Sequence, residues 1–129
     1  MKKAVILTLA AIFSLSGLEL LGSSQVTGKQ TLVVAATAYN SLPEPYTGQE
    51  APTAWGHKLE PGNKVISVSR DLVDLGLVDG VVVEIEGLPG KYLVADKMAR
   101  RWTKKIDIYM GLDEVAAKEW GNRTVKLTW

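Results

Sequence analysis

The chain has no cysteine and only one histidine, and these two shortages exclude several kinds of chemistry. Without cysteine there is no disulfide framework and no thiol nucleophile. The single histidine, His57, leaves multi-histidine metal sites and Ser–His–Asp triads poorly supplied. The carboxylates also lack the clustered spacing of a metal site. We therefore expect neither a metal nor a cofactor, and any catalysis must depend mostly on carboxylates.

The chain also has little excess charge of either sign. It carries 15 basic and 14 acidic residues, for a net charge of +1. Such a balance argues against a nucleic-acid partner, which would require a strongly basic surface. Charge is nevertheless segregated, because a group of cations lies between Asp96 and Asp107. We call this group the basic loop cations: Lys97, Arg100, Arg101, Lys104 and Lys105.

The longest apolar run lies at the amino end, after two lysines. A short basic segment, an apolar run and then small residues predict a secretory signal peptide over residues 1–24. A transmembrane anchor is the alternative, but Ser14, Ser16 and Glu19 interrupt a run that would need about 20 apolar residues. We expect export across the inner membrane to the periplasm or cell envelope. The membrane would then be contacted only through an uncleaved signal.

The rest of the chain predicts a small, mostly β domain. Short runs of β-branched and aromatic residues, separated by Gly and Pro turns, are typical of strands. Asp113–Trp120 predicts one helix, Arg70–Gly76 a helical turn or a tight crossover, and Asn40–Gly62 a long irregular loop. Six strands in a domain of this size favour a closed barrel over a sandwich. The strands are expected at Thr31–Tyr39, Lys64–Ser69, Val81–Glu86, Lys91–Asp96, Ile106–Tyr109 and Arg123–Trp129.

Asp107 has an unusual position, between Ile106 and Ile108. Side chains alternate between the two faces of a strand, so the isoleucines should face the core and Asp107 the opposite side. There it is either a solvent-facing residue of an edge strand or a residue of a cleft. Asp96 ends the preceding strand.

The order of motifs resembles the 3D domain, a family named for three aspartates. The resemblance covers roughly residues 35–129, after the signal peptide 1–24 and a lead-in 25–34. Its most specific features are Asp96 with Asp107 eleven residues later, and the closing A-x-x-x-W-G-x-R-x-V-x-L pattern of residues 116–127. The other matching segments are T-A-Y (37–39), T-A-W-G-H (53–57), V-I-S-V-S-R-D-L (65–72), G-L-V-D-G-V-V-V-E-I-E-G (76–87), Y-L-V-A-D (92–96) and I-D-I-Y (106–109).

The resemblance implies a six-stranded double-psi β-barrel with one short C-terminal helix. Such barrels are related to the catalytic barrel of membrane-bound lytic transglycosylase A and, more distantly, to rare lipoprotein A and expansin barrels. By resemblance, Asp107 matches the catalytic acid and Asp96 the aspartate beside it. Asp71 is the candidate for the third, although relatives usually have Asp where Ser69 falls. The implied activity is cleavage of peptidoglycan glycan strands, in which the sugar's 6-hydroxyl attacks and a 1,6-anhydro-muramoyl product forms.

The segment between Asp96 and Asp107 departs from the family, because relatives carry a small glycine-rich turn there. A cationic loop suits an anionic ligand, such as peptidoglycan with its stem-peptide carboxylates. Two other functions stay open: a non-catalytic glycan-binding module, as expansin-like barrels can be, and a scaffold that recruits another cell-wall enzyme. The residues expected to bind substrate are Thr53, Trp55, His57, Arg100, Arg101 and Trp102.

Overall fold

The computed structural model describes residues 29–41 and 52–129. The predicted signal peptide and residues 42–51 of the proline-rich loop lie outside these residues. A compact unit spans Thr31–Trp129, so residues 31–34 of the expected lead-in belong to the barrel. Its elements are β1 (Thr31–Tyr39), β2 (Val65–Val68), α1 (Arg70–Asp74), β3 (Val82–Ile85), β4 (Tyr92–Lys97), β5 (Lys105–Tyr109), α2 (Glu114–Trp120) and β6 (Arg123–Thr128).

The six strands form a closed barrel in the order β1-β5-β2-β4-β3-β6, with β6 returning to β1. This confirms the prediction of a mostly β, closed architecture. Two neighbouring pairs are parallel, β1 with β5 and β2 with β4, and the other four are antiparallel. Consecutive strands β1 and β2 therefore flank β5, and consecutive strands β4 and β5 flank β2.

The described residues contain two short helices: the predicted C-terminal helix, α2, and α1, which confirms the first of the two alternatives for Arg70–Gly76, a helical turn. The additional helix, α1, follows Ser69, whose extended backbone occupies the N-cap position. Leu72 is fully buried and fixes this turn against the core. The segment is only five residues long, because the apolar contact at Leu72 stabilises one turn and the chain then reverses at Gly76, where φ is +105°. Within the described residues, neither helix has the length and apolar content to cross a membrane.

The barrel interior is filled by one face of each strand. Ile106 and Ile108 are completely buried, whereas Asp107 between them is half-buried and lies on the other face, as the alternation predicted. Burying a side chain of this size contributes about 1.5–3 kcal/mol, so this face determines how β5 is seated. The largest fully buried apolar side chains of the core are Ile66, Leu72, Leu77, Ile106, Ile108, Leu127, Val34, Val68, Val83 and Val94.

Candidate functional site

A row of polar residues crosses four neighbouring strands. Thr37 on β1 is the partner of Asp107 on β5, and Asp107 is the partner of Ser67 on β2. Ser67 is in turn the partner of Asp96 on β4, after an irregularity in that pairing between Ile66 and Ser67. The pairing therefore brings both predicted aspartates into one row, with Ser67 between them. Two strand spacings separate their Cα atoms by about 9–10 Å.

Asp107 is a half-buried carboxyl with few partners. Its Oδ1 accepts a hydrogen bond from the Thr37 hydroxyl at 3.1 Å. Burial raises the pKa of Asp107 above its ordinary value, while the Thr37 hydrogen bond and the positive charge of Lys105 oppose the rise. The cause is therefore desolvation of the charged form. A carboxyl with these surroundings is suited to carry a proton that it can donate.

This environment predicts a pH-dependent stability difference between wild type and Asp107→Asn. The neutral acid suits the half-buried site, so its contribution to stability is complete below the ordinary pKa of 3.8 and is lost as the pH rises through the raised folded pKa. Asparagine keeps an oxygen for Thr37 and does not ionise. We therefore expect the variant to melt above wild type at pH 7, and the two melting temperatures to converge near pH 3.

Thermal melts followed by circular dichroism across this pH range measure the difference. Asp74→Asn is the matched control, because Asp74 is an exposed aspartate at the end of α1. Its melting curve should follow wild type at every pH. An Asp107→Asn protein that melts below wild type at pH 7 would contradict the assignment, because the charged carboxylate would then be stabilised at this position.

Tyr39 lies close to both aspartates. Burial raises the pKa of its hydroxyl to about 12, a hydrogen bond with Ser67 opposes the rise, and the charges of Asp96 and Asp107 add to it. Its ring packs on Tyr109 with 5.4 Å between centroids. The hydroxyl therefore stays protonated at physiological pH and can serve as a hydrogen-bond donor between the two carboxyl groups.

Asp96 organises the backbone around the site. Its Oδ1 accepts hydrogen bonds from the backbone N–H groups of Ala54 and Lys97, both at 2.8 Å. The first of these bonds joins β4 to the segment 53–57, which lies 42 residues earlier in the chain. Asp96 is thus placed to shape the edge of the site, while Asp107 is the carboxyl available to move a proton.

Comparison of the chain with protein families, with curated proteins and with solved structures found no match. The chemistry of the site is therefore inferred from its own residues. Among the residues described, no group of three or more His, Cys, Asp or Glu side chains could hold a metal ion.

Asp71, the candidate third aspartate, holds the end of the basic loop. Its Oδ2 accepts the backbone N–H of Lys104 at 2.9 Å, and Lys104 has a left-handed backbone with φ of +45°. Ser69 makes a similar bond, because its Oγ accepts the N–H of Lys105 at 3.0 Å. Burial raises the pKa of Asp71, but its hydrogen bonds lower the pKa by more than burial raises it. The largest of these opposing effects come from the Ser69 hydroxyl and the Lys104 N–H, and the pKa of Asp71 is therefore below its ordinary value. The structure therefore gives Asp71 a loop-positioning geometry.

Trp102 is enclosed by two of the basic loop cations. The Lys105 Nζ lies 3.7 Å from the ring centroid and the Arg101 Cζ lies 4.9 Å from it. Arg100 and Arg101 are exposed, and Trp102 is half-buried. These contacts make the loop a cationic surface built around an aromatic ring, and they leave less of that ring open for stacking on a sugar.

The segment 53–57 divides between two places. Thr53 closes a tight turn, in which its Oγ1 accepts the His57 N–H at 3.0 Å. Trp55 packs against the core, and the Lys97 Nζ lies 5.4 Å from its ring centroid. The His57 side chain instead contacts Asp79, with 2.6 Å between Nε2 and Oδ1. Thr53 and Trp55 thus lie with Asp96, whereas His57 lies at a separate cavity.

Sequence reasoning missed Thr37, Tyr39 and Ser67 as site residues. All three lie in segments that carry the family resemblance, but the parallel pairing that joins them to Asp107 and Asp96 has no local sequence signal. One signal was available: Thr37 and Tyr39 are polar-tipped residues at alternate positions of an otherwise apolar strand, so they share a face.

Proposed function

We propose that this chain is a double-psi β-barrel of the 3D type that cleaves peptidoglycan glycan strands as a lytic transglycosylase. The observation that carries the proposal is Asp107, a half-buried carboxyl whose pKa is raised by burial and which is held by Thr37. Glycosidic cleavage requires a protonated carboxyl at the leaving oxygen. We propose export to the periplasm or cell envelope, where this substrate is found.

The strand connections support the double-psi part of the proposal. A psi loop has two consecutive antiparallel strands with a third strand between them. Here β1 and β2 run antiparallel on either side of β5, and β4 and β5 run antiparallel on either side of β2. The two loops share strands and interlock, and Ser67 and Asp107 lie on the two central strands where they meet.

In the proposed mechanism, one carboxyl serves first as acid and then as base. Asp107 donates its proton to the glycosidic oxygen as the bond from that oxygen to the muramoyl C1 breaks. The Asp107 carboxylate then takes the proton of the muramoyl 6-hydroxyl as O6 bonds to C1. The proton inventory balances, no water is consumed, and the product is a 1,6-anhydro sugar. An inverting or retaining hydrolase would instead need a second carboxylate acting on water or on the sugar.

The basic loop supports an anionic glycan polymer as substrate. Its exposed cations border Asp107 through Lys105, and the loop is held by Asp71 and Ser69 at its carboxyl end. Arg70 adds a bond from Nε to the Met98 carbonyl oxygen at 3.1 Å. A loop fixed at both ends presents its charges with less loss of entropy on binding.

Digestion of purified sacculi by the purified protein tests this function. We expect muropeptides that end in 1,6-anhydro-muramic acid, detected by mass spectrometry. Products with ordinary reducing ends would show a hydrolase and contradict the proposed mechanism. Absence of product, together with co-sedimentation with sacculi, would establish the non-catalytic binding module. If the protein neither cleaves nor sediments, the scaffold that recruits another cell-wall enzyme becomes the function to test.

Removal of the Tyr39 hydroxyl should slow the reaction moderately. The hydroxyl lies near both aspartates and can orient a substrate hydroxyl there. Loss of one such hydrogen bond costs about 0.5–1.5 kcal/mol, so Tyr39→Phe should release anhydro product about two- to tenfold more slowly. Tyr92→Phe is the control, because Tyr92 is also buried but lies on β4 outside the polar row. If Tyr39→Phe and Tyr92→Phe release product at equal rates, the Tyr39 hydroxyl has no role in the reaction.

A further inference from the structure

A second feature of the barrel surface is a cavity of about 340 Å³ that does not include Asp107. Small-molecule sites span about 300–1,000 Å³, so this cavity lies at the small end of that range. It suits a short segment of a ligand and not a whole polymer. Its apolar wall consists of Leu59, Val65, Leu93, Val94 and Ala95. We call it the His57 cavity, because His57 stands at its polar side.

The His57 cavity shares its wall with the candidate site. Val65 and Ala95 pack with Tyr109 in a small apolar cluster, and Tyr39 and Leu59 pack against that cluster. Ala95 directly precedes Asp96, and Tyr39 lies beside both aspartates. A ligand in the cavity is therefore separated from the polar row by a single layer of side chains.

The polar side of the cavity has an excess of positive charge. Asp79 is the one carboxylate of the lining, and its Oδ1 lies 2.6 Å from Nε2 of His57. Lys64 reaches the Pro89 carbonyl oxygen at 3.3 Å. Lys58 is exposed and, within the described residues, has no hydrogen-bond or ion-pair partner. Two lysines, Lys58 and Lys64, thus face one carboxylate, Asp79, and the unpartnered ammonium group of Lys58 favours an anionic group on the ligand.

We propose that the His57 cavity binds the peptide branch of the substrate, through a small apolar side chain against Leu59, Val65 and Leu93 and a carboxylate near Lys58. This proposal rests on the proposed function. The stem peptide begins at the lactyl group of the muramic residue, which is the same sugar whose C1 linkage is cleaved. A site for the peptide must therefore lie next to the acid. The cavity meets this requirement through the shared wall, and its lining supplies both chemistries of an alanyl-glutamyl segment.

Binding is tested separately from turnover, with the full-length protein at pH 7. The probe is the dipeptide L-alanyl-D-glutamate, titrated while methyl signals are followed by nuclear magnetic resonance. We expect saturable shifts at Leu59, Val65 and Leu93. The dipeptide with both carboxyl groups amidated should bind at least about twofold more weakly, as expected for loss of a solvent-exposed ion pair. Chitotriose, which has sugars and no peptide, should leave these methyl signals unchanged.

A matched pair of variants locates the site. Leu93 and Val82 are cross-strand partners with similar exposure, 44% and 46%, but only Leu93 lines the cavity. Leu93→Glu places a carboxylate against the ligand, so dipeptide affinity should fall by at least about tenfold. Val82→Glu should bind as wild type does, and both variants should keep the wild-type spectrum elsewhere.

Three results would overturn the proposal: no saturable shift at the cavity methyls, equal affinity of the acid and its diamide, or equal affinity of the two variants. Shifts caused by chitotriose at the same methyls would assign the cavity to sugar instead. The sacculus digestion separates this failure from failure of the function. A protein that releases anhydro-muropeptides without binding the dipeptide keeps the proposed function and loses only the peptide site.

Discussion

Asp107→Asn should reduce the release of anhydro-muropeptides by about 10²- to 10⁴-fold, the contribution typical of a general acid–base group. The amide cannot donate a proton of suitable acidity or accept one in the second step. Asparagine has nearly the same shape as aspartate, and its oxygen can still accept the 3.1 Å hydrogen bond from Thr37. The loss should therefore come from chemistry and not from misfolding. Initial rates on sacculi, normalised to folded protein, measure it.

The same experiment needs a variant that removes a carboxylate elsewhere. Asp74→Asn makes the same carboxyl-to-amide change at an exposed position and should cleave at the wild-type rate. Both proteins should sediment equally with sacculi, because binding of the polymer does not require the acid. If Asp107→Asn retains more than about a tenth of the wild-type rate, the proton donor is another group, and Asp107 is only a polar residue of the sheet.

The fold could be predicted largely because its signals are local. The alternation of Ile106, Asp107 and Ile108 placed the isoleucines in the core, where both are fully buried. Asp113 and Gly121 bounded the C-terminal helix, since Asp113 accepts the Ala116 N–H at 3.0 Å and Gly121 takes a φ of +68°. These effects depend on a few neighbouring residues, so they can be read from a single sequence.

The site could be predicted only in part, because its assembly depends on pairing between distant strands. The resemblance placed Asp96 beside Asp107, and the pairing of β4, β2 and β5 puts both in one row with Ser67 between them. The raised pKa of Asp107 comes from burial, opposed by Thr37 and Lys105. The sequence cannot provide the register between β1 and β5, whose residues lie about 70 positions apart, as Thr37 and Asp107 do.

Trp120 connects the C-terminal helix to the strand that carries Thr37. Its side chain is 5% exposed, and its Nε1 donates to the Ala36 carbonyl oxygen at 3.1 Å. The Arg123 guanidinium lies over the ring, with its Cζ 3.9 Å from the centroid, and its Nε donates to the Trp120 carbonyl oxygen at 2.9 Å. One side chain thus supplies packing, a hydrogen bond and a cation–π contact between α2, β1 and β6.

We therefore expect Trp120→Ala to lower the free energy of unfolding by about 3–5 kcal/mol, the range for truncation of a large buried aromatic residue. For a domain of this size, each kcal/mol shifts the melting temperature by about 4–8 °C, so the midpoint should fall by more than about 10 °C. Trp120→Phe keeps an aromatic ring and loses the bond to Ala36, so its stability should lie between those of wild type and Trp120→Ala.

Val115→Ala on the same helix is the control, because Val115 is 67% exposed. Denaturant and thermal unfolding measure all three. If Trp120→Ala is no less stable than Val115→Ala, the helix does not contribute to holding the barrel closed, and the stability must come from the strand interior alone.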